Sequence, residues 1–288
     1  MLRFLTFSLL YIASSLLAKP IVAVSILPQQ TFVQKIAGEH IDVLLMVMPG
    51  NSPHSYEPKP TQMMALSQAT LYLSIGVEFE EAWLGRFASQ NKNMRIINIS
   101  DSVEKIALDE HNHHEEVHEQ HETKHKENGL DPHTWTSPNN VKIMAFAIYE
   151  ALVSIDKKHE VQYKKNLDLF LQEIGQTQER IYTILKDTPK HTNFLVFHPS
   201  WGYFAYEFGL KQVTIEVEGK EPKPKEIIEI LQKSKEEKIH VIFAQAEFSD
   251  KSAKIIAKEG NLNVVKISPL SPEWSSNLIK MAQAIANK

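Results

Sequence analysis

The chain of 288 residues contains no cysteine. That excludes disulfides, a thiolate metal site and a lipid-modified cysteine. Long hydrophobic runs are almost as scarce. One apolar stretch, Phe4 to Leu17, follows a single positive charge at Arg3 and ends in small residues. It is too short and too close to the terminus for a membrane span, and it reads as a secretory signal cut after Ala18. No second such run follows, so the mature chain is expected to be soluble and, lacking cysteine, to reside in a bacterial periplasm. An excess of basic charge is missing too. Lys and Arg number 31 against 35 Asp and Glu, a net charge of −4. Without a basic stripe, nucleic acid is excluded as a partner class. There is also no HExxH, no nucleophile elbow and no Gly-rich phosphate loop, which removes the commonest enzyme signatures.

What is present alternates. Ile21–Leu27, Ile41–Val47, Leu71–Ile75 and Arg95–Ile99 are short apolar runs, separated by helical patterns over Pro28–Ala37, Thr61–Ala69 and Phe79–Ser89. After Pro138 two amphipathic helices follow, and the second, Val161 to Lys186, would span roughly 39 Å at about 1.5 Å per residue. Beyond it the alternation resumes, with strands at Phe194–Phe197, Gln212–Val217, His240–Ala244 and Asn263–Ile267. Helices fill the gaps: Trp201–Phe208, Pro224–Lys235, Ser249–Lys258 with Ser249 as its N-cap and Gly260 past its end, and Trp274–Ala286. Near-continuous apolar strands between helices imply parallel sheets covered on both faces. The expected fold is α/β: two lobes, each a four-stranded mainly parallel sheet with flanking helices, joined by one long backbone helix. The divisions fall at 1–18 (signal), 19–157 (first lobe), 158–187 (linking helix) and 188–288 (second lobe).

Histidine is the conspicuous residue. Six of the 13 lie between His111 and His125, among Glu110, Glu115, Glu116, Glu119 and Glu122. This tract has no apolar period and cannot bury a face, so it reads as a mobile loop from 110 to 128 that collects metal. Three other histidines sit in stiff loops. His54 lies in PGNSPHSYEPKP, His133 between Asp131-Pro132 and Trp135, and His198 in FHPSWGYF directly after a strand. Ligands gather beyond the carboxyl ends of parallel strands, and two lobes facing each other would bring the three into one cleft. Three imidazoles point to zinc, since manganese and magnesium prefer oxygen-rich sites. Glu57 and Asp131, near His54 and His133 in sequence, are candidates to orient the rings. Trp135, Trp201, Tyr203 and Phe204 read as cleft walls or packing. His40, His159, His191 and His240 lie among polar residues at element edges and read as incidental.

Several segments carry a family resemblance in order: VSILPQQTFVQKIAGEHIDVLLMVMPGNSPHSYEPKPTQMMAL, DPHTWTSP, HPSWGYFAYEFG, EVEGKEPKPKEI and FAQAEFSDKSA. Together they resemble the zinc-uptake, ZnuA-type, substrate-binding proteins of metal ABC transporters, over essentially the whole mature chain. The resemblance implies metal held between two lobes, with His54, His133 and His198 on the family's histidine ligand motifs and the His111 tract as its charged loop. It also implies a membrane permease as partner and a monomeric receptor. One position departs. Where related proteins often carry an aspartate ligand, in KISPLSPEW, this chain has Ser268, a neutral hydroxyl. Glu247, at the same edge of the second lobe, is then a candidate for the missing negative charge, as a fourth ligand or through a bound water.

The leading reading is a periplasmic zinc receptor that is not an enzyme. A manganese or iron receptor of the same type, a zinc hydrolase or lyase, and a metal buffer or adhesin built on the tract itself remain alternatives.

Overall fold

The computed structural model describes residues 19–108, 129–216, 220–248 and 251–287. The expected signal, the histidine tract and the expected N-cap Ser249 lie outside these described residues.

Each half of the chain folds as the alternation predicts. In the first, β1 (Ile21–Val24), β2 (Asp42–Leu45), β3 (Leu71–Ser74) and β4 (Arg95–Asn98) form a sheet in the order β2-β1-β3-β4. In the second, β5 (Asn193–Val196), β6 (Lys211–Thr214), β7 (Val241–Ala244) and β8 (Asn263–Lys266) repeat that order as β6-β5-β7-β8. Every pairing is parallel. The central strands β3 (LYLS) and β7 (VIFA) are buried at all positions, as helices on both faces require.

The helices are α1 (Leu27–Ala37), α2 (Pro60–Leu66), α3 (Glu78–Gln90), α4 (Pro138–Ile155), α5 (Glu160–Leu185), α6 (Gly202–Phe208), α7 (Pro224–Glu236), α8 (Lys251–Gly260) and α9 (Trp274–Ala286). Proline opens α2, α4 and α7, where a missing N–H costs nothing. Gly260 is the last residue of α8 rather than the residue beyond it.

The long helix α5 is not an isolated rod. Its stripe of Tyr163, Leu167, Phe170, Ile174, Ile181 and Leu185 is buried, and it packs along α1, α4 and α9. A single apolar cluster therefore runs from Val22 and Phe32 through Ile148 and Phe170 to Phe194, Phe243 and Trp274. The lobes also grip each other through two tryptophans. Trp135 Nε1 donates to the Pro269 carbonyl at 2.8 Å, and Trp274 Nε1 donates to the Trp135 carbonyl at 2.7 Å.

In both sheets the chain leaves the central strand for one neighbour and then crosses to the other side. The crevice between β1 and β3, and that between β5 and β7, is where such sheets open for ligands. Both are tied by a buried glutamine. Gln29 accepts from the N–H groups of Ser25 and Ile26 and donates to the Leu73 carbonyl. Gln245 accepts from the His198 N–H at 2.7 Å and donates to Ser200 Oγ at 3.0 Å.

Candidate metal centre

His54 reaches the crevice on the loop between β2 and α2. Tyr56 fixes that loop, because its hydroxyl donates to Gln62 Oε1 at 2.8 Å while Gln62 Nε2 holds the carbonyls of Leu45 and Met46. His133 follows the Asp131-Pro132 turn and enters a 3-10 turn over Thr134–Thr136, where Thr136 Oγ1 donates back to its carbonyl. His198 is the second residue beyond β5 and lies stacked on Phe248, ring centroids 4.7 Å apart. The three rings meet. One ligating nitrogen from each lies within 4.8 Å of the others, and the His54 and His198 Nε2 atoms are 3.0 Å apart.

Each ring is held from behind by a carboxylate. Asp131 Oδ1 stands 2.7 Å from His133 Nδ1, Glu216 Oε1 2.7 Å from His198 Nδ1, and Glu78 Oε1 3.2 Å from His54 Nδ1. These acceptors place a proton on every Nδ1 and turn every Nε2 inward, which is the arrangement a cation needs. Asp131 stands where the sequence reading expected it. Glu57 does not orient His54: it is exposed, and Glu78 takes that role. Glu78 and Glu216 were not singled out by sequence. The signal that could have found them is their place, each just beyond the carboxyl end of a strand.

The same contacts set the charges. Burial alone would raise the Glu78 carboxyl, yet its hydrogen bond to His54 and the His54 charge bring it down to about 2. Burial would lower His54, but Glu78, with help from the Glu216 charge, raises it above 6.5. His198 goes the other way: burial lowers it by more than its hydrogen bond to Glu216 returns, and the neighbouring His133 and His54 charges add to the fall.

The space the rings share is about 20 Å³, on the order of one water-sized body. Glu247 lines it as well. One of its oxygens accepts a hydrogen bond from Ser268 Oγ, and the other, Oε2, is buried without a hydrogen-bond partner. Ser268 thus holds the Glu247 carboxylate rather than facing the cleft alone. The nitrogens approach the spacing of tetrahedral zinc, about 3.3 Å for zinc–nitrogen bonds of about 2.0–2.1 Å. The incidental histidines stay outside the group: His40 stacks on His159 at 3.8 Å, beside the start of α5. Trp135, Trp201, Tyr203 and Phe204 are buried packing, and Trp135 also walls the small cavity.

The chain matches known proteins over nearly its full length. The family model described as zinc-uptake complex component A, periplasmic (ZnuA) matches residues 22–288. A crystal structure of a ZnuA superposes with a TM-score of 0.84 at 37% identity, covering 94% of this chain and 99% of that one. A putative metal-binding protein of Chlamydia trachomatis is 27% identical over 275 residues, 92% of this chain and 90% of its own length. The manganese ABC transporter substrate-binding lipoprotein PsaA of Streptococcus pneumoniae is 27% identical over 243 residues, 80% of this chain and 73% of its own. No helix among the described residues is long and apolar enough to cross a membrane.

Proposed function

The chain belongs to the ZnuA family of metal-binding, substrate-binding proteins of ABC metal uptake, and from that premise we propose that it captures Zn²⁺ in the periplasm and delivers it to a membrane permease. The zinc is cargo. His54, His133 and His198 are its ligands through Nε2, with Glu247 as the fourth donor, directly or through a bound water. The observation that carries this reading is the pairing of three converging imidazoles with three carboxylates behind them. Nitrogen donors favour zinc over manganese, and the carboxylates offset the double charge without entering the coordination shell. A manganese receptor is the second reading, because one relative carries that description. A hydrolase is disfavoured by the match to a family model described as a component of zinc uptake.

Zinc titration against a competing chelator tests the reading. Alanine at His54, His133 or His198 should each weaken zinc at least about ten-fold, the lower end expected even for a residue behind the ligand shell. Near-wild-type affinity in two of the three variants would overturn it. Manganese competing on equal terms would favour the second reading. Deleting residues 110–128 should lower the number of ions bound in excess zinc and spare the tightest one. If that site goes too, a tract histidine is a ligand.

A further inference from the structure

The support of His133 does not end at Asp131, and its last contact lies in the other lobe. Asp131 is 1% exposed, and its Oδ1 accepts from both the backbone N–H and the ring of His133. Its second oxygen, Oδ2, is buried without a hydrogen-bond partner. That oxygen sits in a notch of the second lobe floored by Gly202, the first residue of α6. A Cβ on residue 202 would overlap Asp131 Oδ2 and would stand 3.4 Å from Gln212 Nε2. Gln212 Nε2 is itself buried and unpaired, while its Oε1 accepts from the Trp201 N–H at 3.0 Å. A carboxylate oxygen and an amide nitrogen thus border one gap, an acceptor toward a donor.

The surroundings leave Asp131 little room to move. Tyr203 Oη donates to the Asp131 carbonyl at 3.0 Å and accepts from the Ile106 N–H at 3.3 Å. A larger residue at 202 must therefore displace the carboxylate itself, and with it the acceptor that aims His133. Glycine is required here by close approach.

We infer that Gly202 and Gln212 are positioning residues for metal binding, acting through Asp131 to set the His133 ring. The grip on one ligand then depends on the second lobe being docked against the first. The inference rests on the reading of His133 as a ligand.

The test is a double-variant cycle on the full chain, read by zinc titration against a competing chelator. Gly202→Ala fills the notch. Gln212→Glu keeps the acceptor for Trp201 and turns a second acceptor toward Asp131. Each should weaken zinc about ten-fold or more, the scale for a partner behind the ligand shell. Added to Asp131→Ala, neither should cost anything further, since the route through Asp131 is already lost. A purely structural role would instead lower the melting temperature of the zinc-free protein and multiply with Asp131→Ala. Wild-type affinity in both single variants, or such multiplication, overturns the inference. If Gly202→Ala fails to fold, the Gln212→Glu cycle decides alone. His133→Ala in the same titration separates the two levels: unchanged affinity there sinks the ligand assignment itself, whereas a loss there with silent notch variants sinks only the coupling.

Discussion

His54 and His198, carried by loops of different lobes, share a hydrogen bond between their Nε2 atoms at 3.0 Å. Their outer nitrogens face Glu78 and Glu216, so each Nδ1 holds a proton. The bond between the Nε2 atoms needs one proton more. His54 is raised above its ordinary value and His198 is lowered, so of the two rings His54 is the one that takes up a proton first.

Zinc must displace that proton. Because His54 is raised above 6.5, the competition sets in above that pH. Apparent zinc affinity should be flat in alkaline solution and fall as pH drops through the raised value, about ten-fold per unit for one proton. Calorimetry near neutral pH, in buffers of different ionisation enthalpy, should find about one proton released per zinc from this pair. A flat affinity from pH 8 to 6 would refute it. The metal-free fold shows the reverse sign. The His54 charge stabilises it fully below 6.5, and that contribution is lost as pH rises through the raised value.

Glu78→Gln separates orientation from charge. The amide oxygen can still accept from Nδ1, but the carboxylate charge that raises His54 is gone. Zinc affinity at pH 8 should drop about 10–100-fold, the range for partners behind a ligand. The onset of proton competition should move to lower pH in the same variant. An unmoved onset would show that Glu78 does not set the His54 proton.

Glu247 and Ser268 make a pair whose halves can be exchanged. Glu247→Gln should weaken zinc about ten-fold if the carboxylate is the fourth donor. Ser268→Asp on that background should restore most of the loss, since it brings a carboxylate to the same edge. Should the glutamine variant bind like wild type, and the aspartate change nothing, water alone completes the site.

The lobe contact is testable without metal. Trp274→Phe keeps an aromatic ring against Phe32, whose centroid lies 5.7 Å from the tryptophan ring. It leaves the Trp135 carbonyl, which accepts from Trp274 Nε1 at 2.7 Å, without that donor. Stability should fall by about 1–3 kcal/mol, the cost of stranding a buried polar group. Denaturant unfolding of the zinc-free protein measures it, and an unchanged midpoint would mean that the contact contributes little.

The alternation of apolar runs and helical patterns was enough to place both four-stranded sheets, since hydrophobic period is a local property of the chain. Histidines in proline-stiffened loops beyond strand ends were legible for the same reason. Their supporting carboxylates were only partly so. Asp131 lies two residues from His133 and could be read as its partner; Glu78 lies 24 positions from His54, and Glu57, closer in sequence, took its place in the reading. Glu247 is not the one negative charge beside the three rings, for a related reason. The fold sets three further carboxylates, Glu78, Asp131 and Glu216, directly behind the rings.

The sequence by itself determined the elements, the class of the fold and the three rings, because each is written in spacing along one segment. Only the tertiary structure decided which carboxylate holds which ring, that His54 and His198 meet across the lobes, and that Gly202 must be glycine for Asp131 to fit. Those are contacts between segments as far apart as His54 and His198, and their distances follow from packing rather than from order along the chain.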